Sequence, residues 1–304
     1  MVYFFIICFT GRPIYGSNPV GNSFFSCGLL PRKIYIRLTD RFGVGKTTAI
    51  KCVERVSLAI IEDVMPKVLR WPNAKEAKVI MEGFGVRGLP KVIGAIDGSH
   101  LSIKAPVKNP ENYVNRKGFH SIVLQAVCDH RMRFTDCYVG WPGSVHDSRV
   151  FTNSDICLMI EQNPIDFCPN SSYLLGDAAY PLSKHLLTPY KDLGSFTEVE
   201  KHYNFVQSST RCVIERAFAL LKGKFQRLKH IELEKLNTMN EIIHAVTSLH
   251  NFCILQNEDN SFVDLDLHVE NVNSEEMMTV VGTSADDIKL FRDNVAKELF
   301  FDTT

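Results

Sequence analysis

The chain has no CxxC pair, no basic leader and no apolar run long enough to cross a bilayer, and each absence removes a class of protein. Its nine cysteines are scattered over 304 residues without metal-ligand or disulfide-framework spacing. An odd number of reduced thiols in an intracellular compartment is the simpler expectation. No stretch approaches the roughly 20 apolar residues of a membrane span, so no membrane partner is expected. The opening MVYFFIICFTG lacks a basic n-region and a small-residue cleavage site, which makes it a poor signal peptide. It reads instead as a buried strand or an atypical start. Neither an internal repeat nor a strong basic nuclear-import run is evident. Hydrophobic residues at 45% and charged residues at 22% are ordinary for a globular protein and argue against disorder throughout.

Net charge is also lacking, since the formal total is zero, but the balance hides two opposed segments. Between Arg211 and His230 six Lys/Arg face one acid, Glu215, for a net of +5. From Gln256 to Thr304 twelve acids face Lys289, Arg292 and Lys297, for a net of −9. A basic helix suited to phosphates and an acidic, solvated or partner-binding tail are expected on one chain.

Four segments are expected along the chain: an irregular 1–37, a helical 38–90, a strand-bearing core at 91–257 and the acidic 258–304. Ala49, Val53, Val56 and Ile60 form a helical stripe with Thr47 or Thr48 as its N-cap. The upstream GVGKTT is not a P-loop, because the position that needs glycine is Asp40 and the preceding LTDRF is polar rather than a strand. A helix ending at Phe42, a turn through Gly43 to Gly45 and a second helix give helix-turn-helix geometry; a plain helical hairpin is the alternative. In the core, KVIGAIDGSHLSIKAP offers two extended segments around Asp97. SIVLQAVCD is a buried strand and RFTDCYVGW pairs with it across DHRM. A helix follows near SRVFTNSDICLMIEQ, then a strand in SSYLLGD. Residues 180–209 read as mostly irregular, and a helix carries Glu215. The fold class is α/β, a mixed α+β layered core.

Three carboxylates organise this core. Asp97 and Asp177 each follow an apolar run and precede a turn, so both are expected at strand ends. Glu215 lies one step off the stripe Ile214, Phe218, Leu221, Phe225 and Leu228. Uncompensated carboxylates brought together repel one another, and Mg²⁺ or Mn²⁺ would resolve that conflict. The plainer readings are turn or cap roles for the aspartates and a surface ion pair of Glu215 with Arg211 or Lys222. His146 and Asp147, in GSVHDSRV, can orient water, touch a metal or cap a helix, with Asp147 as N-cap the leading alternative. Asn115, Arg116 and Lys117 suit a phosphate backbone or a polar loop tip, and His100 reads as a hydrogen-bonded structural histidine.

GAIDGSHLSI, YVNRKGFHSIVLQAVCD, FTDCYVGWPGSVHDSRVF, YLLGDAAYPL, RCVIERAFALLKGKFQRL and SLHNFCILQN occur in this order. Together they resemble the DDE superfamily endonuclease domain, specifically PIF/Harbinger transposases and Harbinger transposase-derived nucleases. The resemblance covers about 92–257, and the weaker helix-turn-helix likeness reaches upstream to about 38. It implies an RNase H-like DDE nuclease core with Asp97, Asp177 and Glu215 as catalytic and metal-binding residues. By the same resemblance, two divalent ions would serve in-line attack on a DNA phosphodiester, with Asp97 bridging both. Lys222, Lys224 and Arg227 would hold phosphates, beside Arg116 and Lys117. A separate Myb-like DNA-binding protein, a homo-oligomer and residence in the nucleus, with the cytoplasm as a second location, are the further expectations. The rival is a catalytically silent, transposase-derived DNA-associated or protein-interaction module.

Overall fold

A computed structural model describes residues 43–192, 194–232, 235–256 and 285–301. Its strands are β1 (Val92–Ser102), β2 (Ser121–Cys128), β3 (Phe134–Pro142), β4 (Tyr173–Leu175) and β5 (Leu186–Leu187). They form one sheet in the order β3-β2-β1-β4-β5. β1, β2 and β3 pair antiparallel, while β4 lies parallel to β1 and β5 parallel to β4. The architecture is therefore mixed α+β around a mixed sheet, as the order of apolar segments predicts. The buried, antiparallel hairpin of SIVLQAVCD and RFTDCYVGW is observed.

The helices are α1 (Lys46–Asp63), α2 (Met65–Val68), α3 (Ala74–Gly85), α4 (Asp147–Thr152), α5 (Asp155–Gln162), α6 (Pro164–Phe167), α7 (Glu198–Lys224), α8 (Leu236–Leu255) and α9 (Ala285–Phe301). They cover the sheet on two faces. Leu124, Ala126 and Cys128 of β2 join Val213, Ile214 and Leu221 of α7, Ile242 and Val246 of α8, and Val53 and Ile60 of α1 in one cluster. Val127, Ile93 and Ile96 meet Phe151 of α4 and Ile156 and Ile160 of α5 in the other. Apolar cover on both sides explains why every β2 residue is buried. Among the described residues no helix is long and apolar enough to cross a membrane, and the cysteines are free.

Several expectations are corrected. The stripe Ala49, Val53, Val56 and Ile60 is buried as expected, but α1 starts at Lys46 with Gly45 as N-cap, not Thr47 or Thr48. The preceding helix of the helix-turn-helix reading lies outside the described residues. The segment 148–162 is two helices, because Ser154 breaks it: its hydroxyl donates to the Phe151 carbonyl at 2.6 Å and accepts from the Cys157 amide at 3.4 Å. Residues 198–209 are helical rather than irregular, since α7 begins at a capping box. There Thr197 Oγ1 accepts from the Glu200 amide at 3.3 Å, and the Glu200 carboxylate accepts from the Thr197 amide at 2.7 Å. Nor is the acidic C-terminal stretch wholly solvated. α9 buries Ala296 and Leu299 in the first cluster, Tyr190 donates to Asp293 at 2.6 Å and the Arg292 guanidinium lies 3.7 Å over the Tyr190 ring.

The turn of the β2–β3 hairpin is clasped from α8. The Asn251 amide acts like one more strand residue, accepting from Phe134 N–H at 2.8 Å and donating to the Phe134 carbonyl at 2.6 Å. The same nitrogen donates to the Val68 carbonyl at 2.7 Å, at the end of α2. Beside it, His250 Nε2 donates to the Met132 carbonyl at 2.9 Å. Replacing Asn251 with Leu leaves the Phe134 groups unpaired in the interior. At roughly 1–3 kcal/mol for each buried group left unmade, urea titration should show a loss of about 3 kcal/mol with an unchanged m-value. Burial pushes the His250 pKa down to about 4, so the neutral ring is the folded form. Its contribution to stability is complete above the ordinary histidine value and is lost as pH falls through about 4. NMR shifts of the His250 ring should therefore remain those of a neutral imidazole at pH 6.

Candidate active site

The parallel pairing of β1 with β4 sets the position of the first two carboxylates. Ala95 stands opposite Leu175, and two residues further on each chain are Asp97 and Asp177. Asp97 is not at a strand end, as expected from the glycine that follows it. β1 runs unbroken from Val92 to Ser102, and Asp97 pairs with Ala126 in mid-strand. What ends is its neighbour: β4 stops at Leu175, which opens a crevice beside the second half of β1. Asp97 Oδ1 accepts from the Gly98 amide at 2.8 Å. Asp177 lies just past β4 in a turn, with Oδ1 accepting from the Ala179 amide at 2.9 Å.

Glu215 faces this crevice from α7, held through a basic neighbour. Arg211, one helical turn earlier, donates to Glu215 Oε1 at 2.7 Å and places its other terminal nitrogen 3.6 Å from Asp97 Oδ2. The plainer reading of Glu215, an ion pair with Arg211, is thus realised, but at a half-buried site where the arginine also serves Asp97. Burial pushes the Asp97 pKa up to about 7; Arg211 opposes this, while the charges of Asp177 and Asp147 add to it. Burial also raises Asp177, against its amide hydrogen bonds and Arg211 and with Glu215.

Asp147 joins the group by a route that the sequence reading missed. It is the first residue of α4, not its cap: the N-cap is His146, whose side chain makes no capping bond. The Asp147 carboxylate lies directly against the α-carbon of Gly98, where a Cβ would collide with it. The requirement for glycine in IDGSH is therefore a close approach within the strand, not a turn. Burial pushes Asp147 up to about 6, Asp177 adding and Arg116 opposing. A signal was present in the sequence, in the pairing of a strand glycine with an acid opening a helix, but only the fold brings the two together.

The expected phosphate-binding residues fall into different roles. Arg116 is exposed and lies 2.8 Å from His146 Nδ1, and Lys117 is exposed beside it. Asn115 is buried and organises its loop, donating to Ser121 Oγ at 3.0 Å and accepting from the Lys117 and Phe119 amides, so it is no phosphate contact. His100 is hydrogen-bonded to Ser121 at 3.1 Å. Lys222 does not present its ammonium outward: it donates to Ser99 Oγ at 2.7 Å and to the His100 carbonyl at 3.1 Å. Burial pushes its pKa down to about 8, Asp97 opposing. Lys224 lies in the last turn of α7 and Arg227 in the following 3-10 turn, Gln226–Lys229. That turn is tied back to β1 by Ile231 N–H donating to the Ser102 carbonyl at 2.8 Å.

The donors are all hard carboxylate oxygens of the kind Mg²⁺ and Mn²⁺ prefer, and their mutual repulsion is what a cation would relieve. In this respect the residues fit a divalent ion. Yet among the described residues no group of three His, Cys, Asp or Glu side chains is already placed to hold one, and Arg211 provides the positive charge between Asp97 and Glu215.

The mixed sheet and α7 thus bring acids from β1, the end of β4 and a long helix towards one another. A family model described as DDE superfamily endonuclease matches residues 96–251, and the chain belongs to that superfamily. It is similar to "Putative nuclease HARBI1" of Rattus norvegicus, 31% identical over 267 residues that cover 80% of this chain and 74% of that protein. The Homo sapiens protein of the same name is 34% identical over 195 residues, 63% of this chain and 54% of that protein. "Protein ALP1-like" of Arabidopsis thaliana is 30% identical over 242 residues, 74% and 57% respectively. The chain thus spans little more than half the length of the human and plant relatives. No solved structure matches. The Harbinger kinship expected from the six ordered motifs is shown by these relatives.

Removing one partner of this half-buried group leaves the others undercompensated, at a cost of up to the roughly 3–5 kcal/mol of a fully buried pair. Arg211→Gln should lower unfolding free energy by about 3 kcal/mol at pH 8, with Asp97→Asn in the same chain recovering part of the loss. The Asp97 pKa stands above the ordinary carboxylate value, so the folded state holds the proton more tightly than the unfolded one. The penalty should shrink as pH falls through about 7, and paired urea titrations at pH 8 and pH 6 check this.

Proposed function

We propose that the chain is a metal-dependent DNA endonuclease of Harbinger type, acting at Asp97, Asp177 and Glu215. The observation that carries the reading is the in-register β1/β4 pairing, which delivers two aspartates to one crevice with Glu215 across from them on α7. The antiparallel β3-β2-β1 set continued by parallel β4 and β5 supports an RNase H-like core. In this reading Mg²⁺ or Mn²⁺, when bound, supplies water activation and charge neutralisation at the phosphodiester. Asp97 and Asp177 accept hydrogen bonds that fix their carboxylates, and Glu215 is aimed by its bond to Arg211. Lys222 braces α7 against β1, keeping the helix at a set distance from Asp97. Arg116, Lys117, Lys224 and Arg227 form the phosphate-holding set at the same end of the sheet, with a salt-dependent, sequence-independent contribution. A Myb-like partner for target choice, a homo-oligomer and a nuclear location accompany this reading.

One observation favours the catalytically silent alternative, namely that Arg211 already neutralises Asp97 and Glu215. A single assay separates the two. Purified full-length chain should nick supercoiled plasmid with Mn²⁺ or Mg²⁺ and not with EDTA. Asp97→Asn, Asp177→Asn and Glu215→Gln should each fall to the EDTA background while keeping a single cooperative urea transition. Equal nicking by wild type and Asp97→Asn would assign the cleavage to a contaminant and leave the silent module standing.

A further inference from the structure

Two buried polar side chains beside Asp147 have no hydrogen-bond partner. Gln125 is fully buried on β2, and neither its amide nitrogen nor its amide oxygen is paired. It stands directly across from Gly98 in the β1–β2 register, and cross-strand partners share a face of the sheet. Its amide is therefore on the side of Gly98 where the Asp147 carboxylate rests. Tyr180 is 4% exposed and its hydroxyl is likewise unpaired. Its ring stands edge-on to Phe151 of α4 at 5.9 Å, and its amide donates to the Asp177 carbonyl at 3.2 Å. The ring thus spans from the Asp177 turn to the helix that begins with Asp147. Burial raises the pKa of its hydroxyl, and the charges of Asp147, Asp97 and Asp177 add to this against Arg211.

A buried polar group without a partner costs roughly 1–3 kcal/mol, and two beside a half-buried carboxylate mark a place for water or an ion. Water alone would satisfy the amide and hydroxyl but would not offset three neighbouring acids. A hydrated Mg²⁺ or Mn²⁺ would do both, because such ions keep several waters and bind through one or two carboxylates. That mode also suits carboxylates not already placed to chelate a bare ion. We propose that Asp147, Gln125 and Tyr180 form an additional arm of the acidic site. Asp147 serves there as a further carboxylate for the divalent cation, and the Gln125 amide and Tyr180 hydroxyl hold the waters of its shell. The inference rests on the metal-dependent reading above and extends the site to the opposite face of β1.

The test uses the full-length chain with Mn²⁺ in calorimetry, and Tb³⁺ as a luminescent probe excited through tyrosine. Groups outside the direct ligands typically change metal affinity roughly 10- to 100-fold. Tyr180→Phe and Gln125→Leu should each weaken Mn²⁺ binding by about tenfold, and Asp147→Asn by about tenfold or more. Tyr180→Phe should also remove much of the tyrosine-sensitised Tb³⁺ emission. If Asp147→Asn does not fold, as judged by its urea transition, the Tyr180→Phe affinity and emission decide. Wild-type affinity in the Asp147, Gln125 and Tyr180 variants, with binding lost in Asp97→Asn, would overturn this arm and leave the metal-dependent reading intact. Absence of Mn²⁺ binding by the wild type, or binding indifferent to Asp97→Asn, would overturn both.

Discussion

Like charges gathered in a poorly solvated crevice set the terms for everything around them. Burial raises the proton affinity of Asp97, Asp147 and Asp177, and neighbouring acids add to it: Asp177 and Asp147 act on Asp97, Asp177 on Asp147 and Glu215 on Asp177. Arg211 is the positive charge in contact with the group, and it is fixed by the helix that also carries Glu215. Long apolar contacts of α7 with the sheet, through Val213, Ile214 and Leu221, hold that guanidinium in place. The hydrophobic face of α7 and the acidic crevice are therefore one construction: without the packing the arginine has no fixed position, and without the arginine Asp97 and Glu215 lose the cation that bridges them.

Much of this was legible in the chain because it depends on local chemistry. The apolar character of β2, the stripe on α1 and the stripe on α7 follow from period alone, and the order of segments gave a layered α+β core. Asp97 and Asp177 stood out because acids rarely end strongly apolar runs. Misreadings arose where glycine has two physical meanings. Gly98 suggested a turn, whereas its missing side chain makes room for Asp147. Thr197 and Glu200 carried a readable capping box, yet the irregular look of the preceding segment masked the start of α7. The roles of Gln125, Tyr180 and Asn251 depend on partners far away in sequence, and no local pattern announces them.

The basic stretch at the end of α7 shows how a charge count can mislead. Arg211 and Lys222 turn inward, one to carboxylates and the other to Ser99 and the His100 carbonyl. The net of +5 over that stretch is therefore partly consumed inside the protein, and a smaller share faces any nucleic acid. Kinship with proteins named for nuclease activity and with plant proteins of the ALP1 type places the same core in differently named settings.

The clasp of Asn251 on Phe134 joins residues 117 positions apart in the chain. Ribosomes extend chains at about 5–20 residues per second, so roughly 6 to 23 s separate synthesis of the hairpin from synthesis of its clasp. During that interval the aliphatic strand β2 exists without α8 and, for most of it, without α7. A nascent chain of this kind presents one of its most apolar surfaces early and its cover late. Its yield in a cell is then governed as much by what shields β2 during translation as by the stability of the finished fold.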